Sequence, residues 1–118
     1  MQDKAKIAKI PPEVKILVQD SQCTADPPDA EADPQEMVTW KCEFPFAIYF
    51  GDQKSPVKWM ASPKAKFNGV DFEIADNVTY DPAYGGTRCF KYYVAVWNPK
   101  IERVIIIDPG LVVPRGGG

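Results

Sequence analysis

Short stretches in which apolar residues alternate with polar ones run through most of this chain, and no stretch repeats at the spacing of an amphipathic helix. The clearest alternation spans residues 38–44, where Val38, Trp40 and Cys42 share one face. Because successive side chains of a strand point to opposite faces of a sheet, this pattern predicts a strand with one face in a core. We predict further strands at 14–18, 46–50, 57–59, 70–75, 90–97, 103–108 and 111–113.

Prolines, glycines and short polar residues separate these stretches, which is typical of a sandwich or barrel of short strands. A chain of 118 residues with 12 prolines and 8 glycines has the length of one domain with a core of its own. We predict an all-β fold, a two-sheet Greek-key sandwich that occupies residues 1–118 as a single domain. Residues 62–67 are the nearest approach to a helix, a single turn, and residues 115–118 form a flexible glycine tail.

The segment 19–36 differs from the rest of the chain in its charge. It has six acidic residues, no basic residue and three prolines. Its few apolar residues follow neither the strand spacing nor the helix spacing. We therefore predict a long acidic loop at about 19–36, between two strands.

The chain contains no histidine. This excludes histidine as a general acid or base, as the partner of a serine or cysteine nucleophile, and as a metal ligand. No glycine loop of the phosphate-binding kind is present either. We predict no catalytic residue and no enzyme activity. With 14 basic and 16 acidic residues the formal net charge is -2, and we predict no nucleic-acid partner, because such proteins usually have a strongly basic patch.

The three cysteines are Cys23, Cys42 and Cys89, so at least one thiol is unpaired within the chain. Their spacing is not that of a metal site, and a cysteine-only zinc site needs a fourth ligand. Cys42 and Cys89 fall in predicted strands, where a buried reduced thiol behaves as a small apolar side chain. A single disulfide among the three is the alternative.

No stretch is as long and apolar as the core of a signal peptide or a membrane helix. The longest aliphatic run, residues 104–107, has the length of a strand. We therefore expect a cytoplasmic protein with no membrane span.

The order Cys23, Trp40, Cys89 imitates the Cys-Trp-Cys order of immunoglobulin domains. In such domains a tyrosine stands two residues before the second cysteine, whereas this chain has Thr87 there. Cys42, which lies in the better-patterned strand, would also have no role. An immunoglobulin-like sandwich is therefore the alternative fold.

Several short motifs occur in an order that is typical of one group of small sandwich domains. They are Val38-Thr39-Trp40, the strand 46–50, Ser55-Pro56, Gly86-Thr87, the strand 90–96 and the ending 107–113, Ile-Asp-Pro-Gly-Leu-Val-Val. Together they resemble small bacterial cupredoxin-like domains over residues 38–113. The chain departs from that pattern where Arg88-Cys89 is inserted and where residues 98–102 lengthen a hairpin.

This resemblance implies a Greek-key sandwich. Copper-binding proteins of this fold hold the metal with two histidines, a cysteine and a weak axial ligand. In this chain Phe46 stands where the first histidine would lie, and the place of the cysteine falls at about Val94; Cys89 comes too early. The resemblance therefore implies a metal-free domain, and we predict no metal ion and no cofactor.

The aromatic residues outside the predicted core are the remaining candidates for function. Tyr93 and Trp97 share one face of a predicted strand, and Tyr49 lies on a strand that could neighbour it. Trp59 is surrounded in the sequence by a basic cluster. We predict that these aromatic residues and the four lysines form an interaction surface: Tyr49, Trp59, Tyr93, Trp97, Lys54, Lys58, Lys64 and Lys66.

From this surface we predict a non-catalytic protein-interaction or assembly module. Its partner would be another protein or a second copy of the chain, because the basic cluster could attract the acidic segment 19–36 of a neighbour. The alternative is a module that binds a small ligand or a carbohydrate, with the exposed aromatic rings as a stacking platform.

Overall fold

The computed structural model describes residues 12–51, 55–59, 63–79 and 88–114. These residues form strands and no helix, as the alternation predicts. In the described ranges, accordingly, no helix is long and apolar enough to cross a membrane. The strands are β1 (Glu13–Gln19), β2 (Gln22–Asp26), β3 (Asp29–Glu31), β4 (Met37–Cys42), β5 (Phe46–Tyr49), β6 (Lys66–Phe67), β7 (Phe72–Asn77), β8 (Arg88–Lys91), β9 (Tyr93–Asn98), β10 (Arg103–Ile107) and β11 (Gly110–Val113).

The strands form three sheets. The largest has the order β2-β1-β4-β7-β6, and the two smaller ones have the orders β10-β9-β5 and β3-β11-β8. Most neighbours are antiparallel, but β1 lies parallel to β4 and β3 lies parallel to β11. Parallel neighbours cannot be joined by a tight hairpin, so the chain must cross over between them.

The two smaller sheets share one long ribbon. β9 pairs with β10 and β8 pairs with β11 in the same antiparallel register, which continues through Tyr92 and Pro109. The Tyr92 N–H donates to the Pro109 carbonyl oxygen at 3.1 Å, so the ladder is kept where the strand assignment breaks. The ribbon changes its outer neighbours along its length, from β5 beside β9 to β3 beside β11.

The inner faces of the sheets enclose one core of aliphatic and aromatic side chains. Trp40 and Tyr92 are fully buried at its centre, and the Trp40 Nε1–H donates to the Tyr92 hydroxyl oxygen at 2.9 Å. Phe46 and Val94 are also buried. Both side chains belong to the same core.

The expectation of a long loop at 19–36 is wrong, because β2 and β3 lie within it. β2 forms a hairpin with β1, and β3 pairs with β11 from the other end of the chain. Their inward side chains are small: Cys23 and Ala25 are half-buried, and Ala30 is buried. The acidic residues of both strands are exposed, so the charge of these two strands lies on the outside.

The expectation of a helical turn at 62–67 is also wrong for the described part of that range, because Lys66 and Phe67 form β6, the short edge strand beside β7. Four other features fall outside the described residues: Ser62, Lys54, Gly86-Thr87 and the tail 115–118.

Candidate interaction surface

The sheet β10-β9-β5 turns one face to the core and one face outward. On β9, Val94 and Val96 are completely buried, while Tyr93 and Trp97 point outward and are 50% and 41% exposed. Tyr49 on β5 lies directly opposite Tyr93 and is 57% exposed. The structure therefore brings together three residues of the predicted surface, and the strand period is the cause.

β10 adds two aliphatic side chains to the same face. Val104 lies opposite Trp97, and Ile106 lies opposite Ala95. Val104 and Ile106 are 58% and 63% exposed, although β-branched aliphatic residues are among those most often buried. We name the five residues Tyr49, Tyr93, Trp97, Val104 and Ile106, with Ala47 and Ala95 between them, the outer apolar face.

Sequence reasoning missed Val104 and Ile106. The run 104–107 is aliphatic throughout, so its pattern indicates a strand but not which side chains face water. A signal does exist in the hairpin: if residues 99–102 form the turn, Val104 must lie opposite Trp97 and share its outward face.

The turn between β9 and β10 is fixed by Asn98, a buried polar residue. Its side-chain Nδ2–H donates to the Asp20 carbonyl oxygen at 3.0 Å, and its Oδ1 accepts from the Lys100 N–H at 3.0 Å. Glu102 has a φ of 53° and closes the turn in the left-handed region. These contacts hold β10 in register with β9, and with it the two aliphatic side chains of the outer apolar face.

Trp59 does not join this face. It is partly buried and packs with its ring centroid 6.1 Å from that of Trp40 and 6.0 Å from that of Phe50. Its exposed part lines a shallow cavity of about 410 Å³. The ring of Trp59 therefore contributes mainly to the core.

Lys58, Lys64 and Lys66 are exposed but do not form a purely basic patch. Lys64 and Lys66 line the same cavity as Glu73 and Asp76. Lys66 lies directly opposite Glu73 in the ladder between β6 and β7. Lys58 is exposed nearby in the sequence, and Lys54 is outside the described residues. Mixed charge makes this region a weaker attractor for an acidic partner than the sequence indicates.

All three cysteines are free thiols, which contradicts the disulfide alternative. Cys42 is buried, but Cys89 is exposed because it takes an outward position on β8. Burial, with a smaller contribution from Cys42, raises the pKa of the Cys23 thiol to about 11, and burial also raises the pKa of Cys42. Both thiols are therefore protonated near neutral pH and are poor nucleophiles or metal ligands. In the described part of the chain no three histidine, cysteine or acidic side chains are grouped to hold a metal ion.

We compared the chain with protein-family models, with curated proteins and with solved structures, and none of them matches it.

Proposed function

We propose that this chain is a non-catalytic protein-interaction or assembly module, and that its contact surface is the outer apolar face. The observation that supports this proposal is the grouping of five large apolar side chains, each 41–63% exposed, on one side of a three-stranded sheet. Together they present on the order of 500 Å² of apolar surface. The largest apolar patch of a typical monomer covers about 300–600 Å² and often has a function, and larger exposed patches mark interaction sites.

The size of this face suits the centre of a protein contact. A stable interface buries about 800 Å² on each partner, with apolar and aromatic residues at the centre and a polar rim. Exposed side chains such as Lys91, Lys100 and Asp108 lie on the same ribbon and could supply that rim. Tyrosine and tryptophan are also the residue types that most often dominate binding energy.

The composition of the face favours a protein partner over a carbohydrate. Stacking of sugar rings on aromatic side chains is usually accompanied by precise polar contacts to the ligand. Here Ala47, Ala95, Val104 and Ile106 lie between and beside the aromatic rings, and none of their side chains can form a hydrogen bond.

We also propose that the fold is a metal-free, cupredoxin-like Greek-key sandwich. Supporting this, strands that follow one another in the chain, such as β4 and β5, lie in different sheets, and neighbours such as β1 and β4 are far apart in the sequence. The buried positions of Phe46 and Val94 agree with a core that has replaced a metal site.

The interaction proposal can be tested with paired surface variants. The double variant Tyr49→Ser/Trp97→Ser removes two rings from the outer apolar face, while Lys41→Ser/Glu73→Ser changes the outside of the largest sheet as a control. Each chain is immobilised and exposed to an extract of the cells that make it, and a retained protein is purified for titration. We expect its binding to weaken at least tenfold with the first variant only, with both variants folded.

Equal binding by the wild type and the outer-face variant would overturn the proposal. A sugar panel screened by tryptophan fluorescence provides the other decisive outcome. Saturable quenching by one sugar, lost in Tyr49→Ser/Trp97→Ser, would replace protein binding with the carbohydrate alternative.

A further inference from the structure

β10 is an edge strand of its sheet, since the order is β10-β9-β5. The hydrogen bonds of β9 show which backbone groups of β10 point toward β9 and which point away from it. The Trp97 N–H donates to the Pro45 carbonyl oxygen at 2.9 Å, so Trp97 directs its backbone groups toward β5. Residues of a strand alternate in the edge to which they bond. Val94 and Val96 therefore bond toward β10, where their partners are Ile107 and Ile105.

The backbone groups of Val104 and Ile106 consequently point away from β9. Among the described residues, no strand pairs with β10 on that side and no backbone hydrogen bond reaches either residue. β2 approaches β10 but forms no ladder with it. Val104 and Ile106 thus combine exposed apolar side chains with two N–H and two carbonyl groups along an open edge.

The part of this edge between Arg103 and Asp108 lacks the features that usually prevent pairing between molecules. Natural edge strands are commonly protected by a charged side chain, a proline or a bulge within the strand. Between Arg103 and Asp108, β10 has only Val104, Ile105, Ile106 and Ile107. Its register with β9 runs without a bulge from Arg103 to Ile107.

We propose that β10 pairs with β10 of a second copy of this chain, antiparallel and centred on Ile105. This inference rests on the proposed function, because it gives the assembly module a second contact, along the edge of the sheet that carries the outer apolar face. In this register Val104 of one copy lies opposite Ile106 of the other, and the two residues exchange both backbone hydrogen bonds. The twofold axis repeats this pair. The two N–H and two carbonyl groups that each strand directs to the edge are therefore all hydrogen-bonded.

A second copy fits this edge better than an unrelated strand for two reasons. The groups to be satisfied are arranged symmetrically about Ile105, as a twofold axis requires. In this register Val104 faces Ile106, Ile105 faces Ile105 and Arg103 faces Ile107, so no like charges face each other within β10. The product is a continuous six-stranded sheet, β5-β9-β10-β10-β9-β5, in which the two outer apolar faces lie on the same side.

The oligomeric state tests this pairing, measured by sedimentation velocity from micromolar to millimolar protein. Ile106→Pro removes one edge N–H, and proline is tolerated in an edge strand where its nitrogen faces away from the ladder. Ile106→Val keeps the N–H and a β-branched side chain as the matched control. We expect a concentration-dependent dimer for the wild type and Ile106→Val, and at least tenfold weaker association for Ile106→Pro with an unchanged circular dichroism spectrum.

Amide hydrogen exchange provides a readout that does not depend on the folding of a variant. In the wild type, we expect the amides of Val104 and Ile106 to become protected as concentration rises, while that of Ile105 is protected throughout by β9. A chain that stays monomeric at millimolar concentration would overturn the pairing, and so would protection of Val104 and Ile106 at all concentrations. Neither result bears on capture of another protein by the outer apolar face.

The variant Tyr49→Ser/Tyr93→Ser separates the two proposals. If it abolishes the dimer while Ile106→Pro does not, two copies associate face to face. The outer apolar face then remains the contact surface, and pairing through β10 is wrong.

Discussion

Two of the three sheets formed by the described residues, the largest sheet and the sheet β10-β9-β5, share one core but have different exteriors. On the largest sheet, the outward residues of the central strands are mixed and include the charged Glu13, Lys15, Lys41 and Glu73. The Lys41 Nζ lies 2.9 Å from the Glu13 Oε2. Lys41 also lies opposite Glu73 in the ladder between β4 and β7. On the sheet β10-β9-β5, the corresponding positions are aromatic or aliphatic.

This difference shows what the fold requires and what it does not. Both exteriors belong to strands with the same alternation, so the inner half of each sheet is determined by the core. The outer half is free to be charged, as the largest sheet demonstrates. Apolar residues there, such as Leu17 and Met37, are separated from each other, which is normal for a surface. The continuous apolar exterior of the sheet β10-β9-β5 is therefore the observation that supports the proposed contact with another molecule.

The largest expected difference in stability is between a charge placed on the buried face of β9 and the same charge placed on its exposed face. Val94→Asp buries a carboxylate in the core, and we expect a loss of about 4 kcal/mol or more in the free energy of unfolding, enough to unfold much of a small domain. Tyr93→Asp places the same charge one residue away on the exposed side. We expect its stability to remain within about 1 kcal/mol of the wild type. Urea unfolding followed by circular dichroism measures both.

If Tyr93→Asp proved as destabilising as Val94→Asp, the outer apolar face would be part of the folding core and not a contact surface. That result would remove the contrast between the two exteriors.

A smaller effect distinguishes two adjacent tyrosines. Tyr92→Phe removes the hydroxyl that accepts from the buried Trp40 Nε1–H, which leaves that donor without a partner. We expect a loss of about 1–3 kcal/mol, as is usual for a buried polar group left unsatisfied. Tyr93→Phe, on the exposed side of the same ribbon, should change the urea midpoint very little. Equal effects of the two substitutions would show that the Trp40–Tyr92 hydrogen bond contributes nothing.

The same buried tyrosine predicts a dependence on alkaline pH. Burial raises the pKa of Tyr92 to about 12, although the hydrogen bond from Trp40 opposes this and the nearby Asp29 supports it. The folded state thus favours the neutral phenol, so this contribution is complete below the ordinary tyrosine pKa and is lost as the pH rises toward 12. The loss corresponds to about 2–3 kcal/mol. Urea unfolding between pH 9 and 12 should show a steeper decline for the wild type than for Tyr92→Phe, and parallel curves would contradict the assignment.

The alternation of apolar residues was sufficient to locate the long strands and their inward side chains. Trp40, Phe46 and Phe90 are buried as their positions in the pattern predict. The same alternation did not predict β2 and β3. Their inward residues are cysteine and alanine, which give little apolar signal, and both strands are stabilised by pairing with other strands. For β3 that partner is β11, which lies at the far end of the sequence.

The candidate surface was predictable only in part for a similar reason. Tyr93 and Trp97 are four residues apart on one strand. Because side chains alternate between the two faces, this even spacing alone places both on the same face. Placing Val104 on the same face requires the register between β9 and β10, and that register depends on which residues form the turn. The burial of Trp59 required Trp40 and Phe50, which belong to other segments of the chain. A local pattern of apolar residues cannot predict contacts between segments that are far apart in the sequence.

The smallest effect should come from the charged exterior. Glu13 raises the pKa of Lys41 through a hydrogen bond and its charge, yet both side chains are accessible to water. Exposed ion pairs gain little because water and salt screen the charges and two flexible side chains must be held in place. We expect Glu13→Gln to leave the urea midpoint unchanged within error and the sedimentation behaviour identical to that of the wild type. A change in self-association with Glu13→Gln would mean that the exterior of the largest sheet also takes part in contacts. The difference between the two exteriors would then no longer identify the interacting sheet.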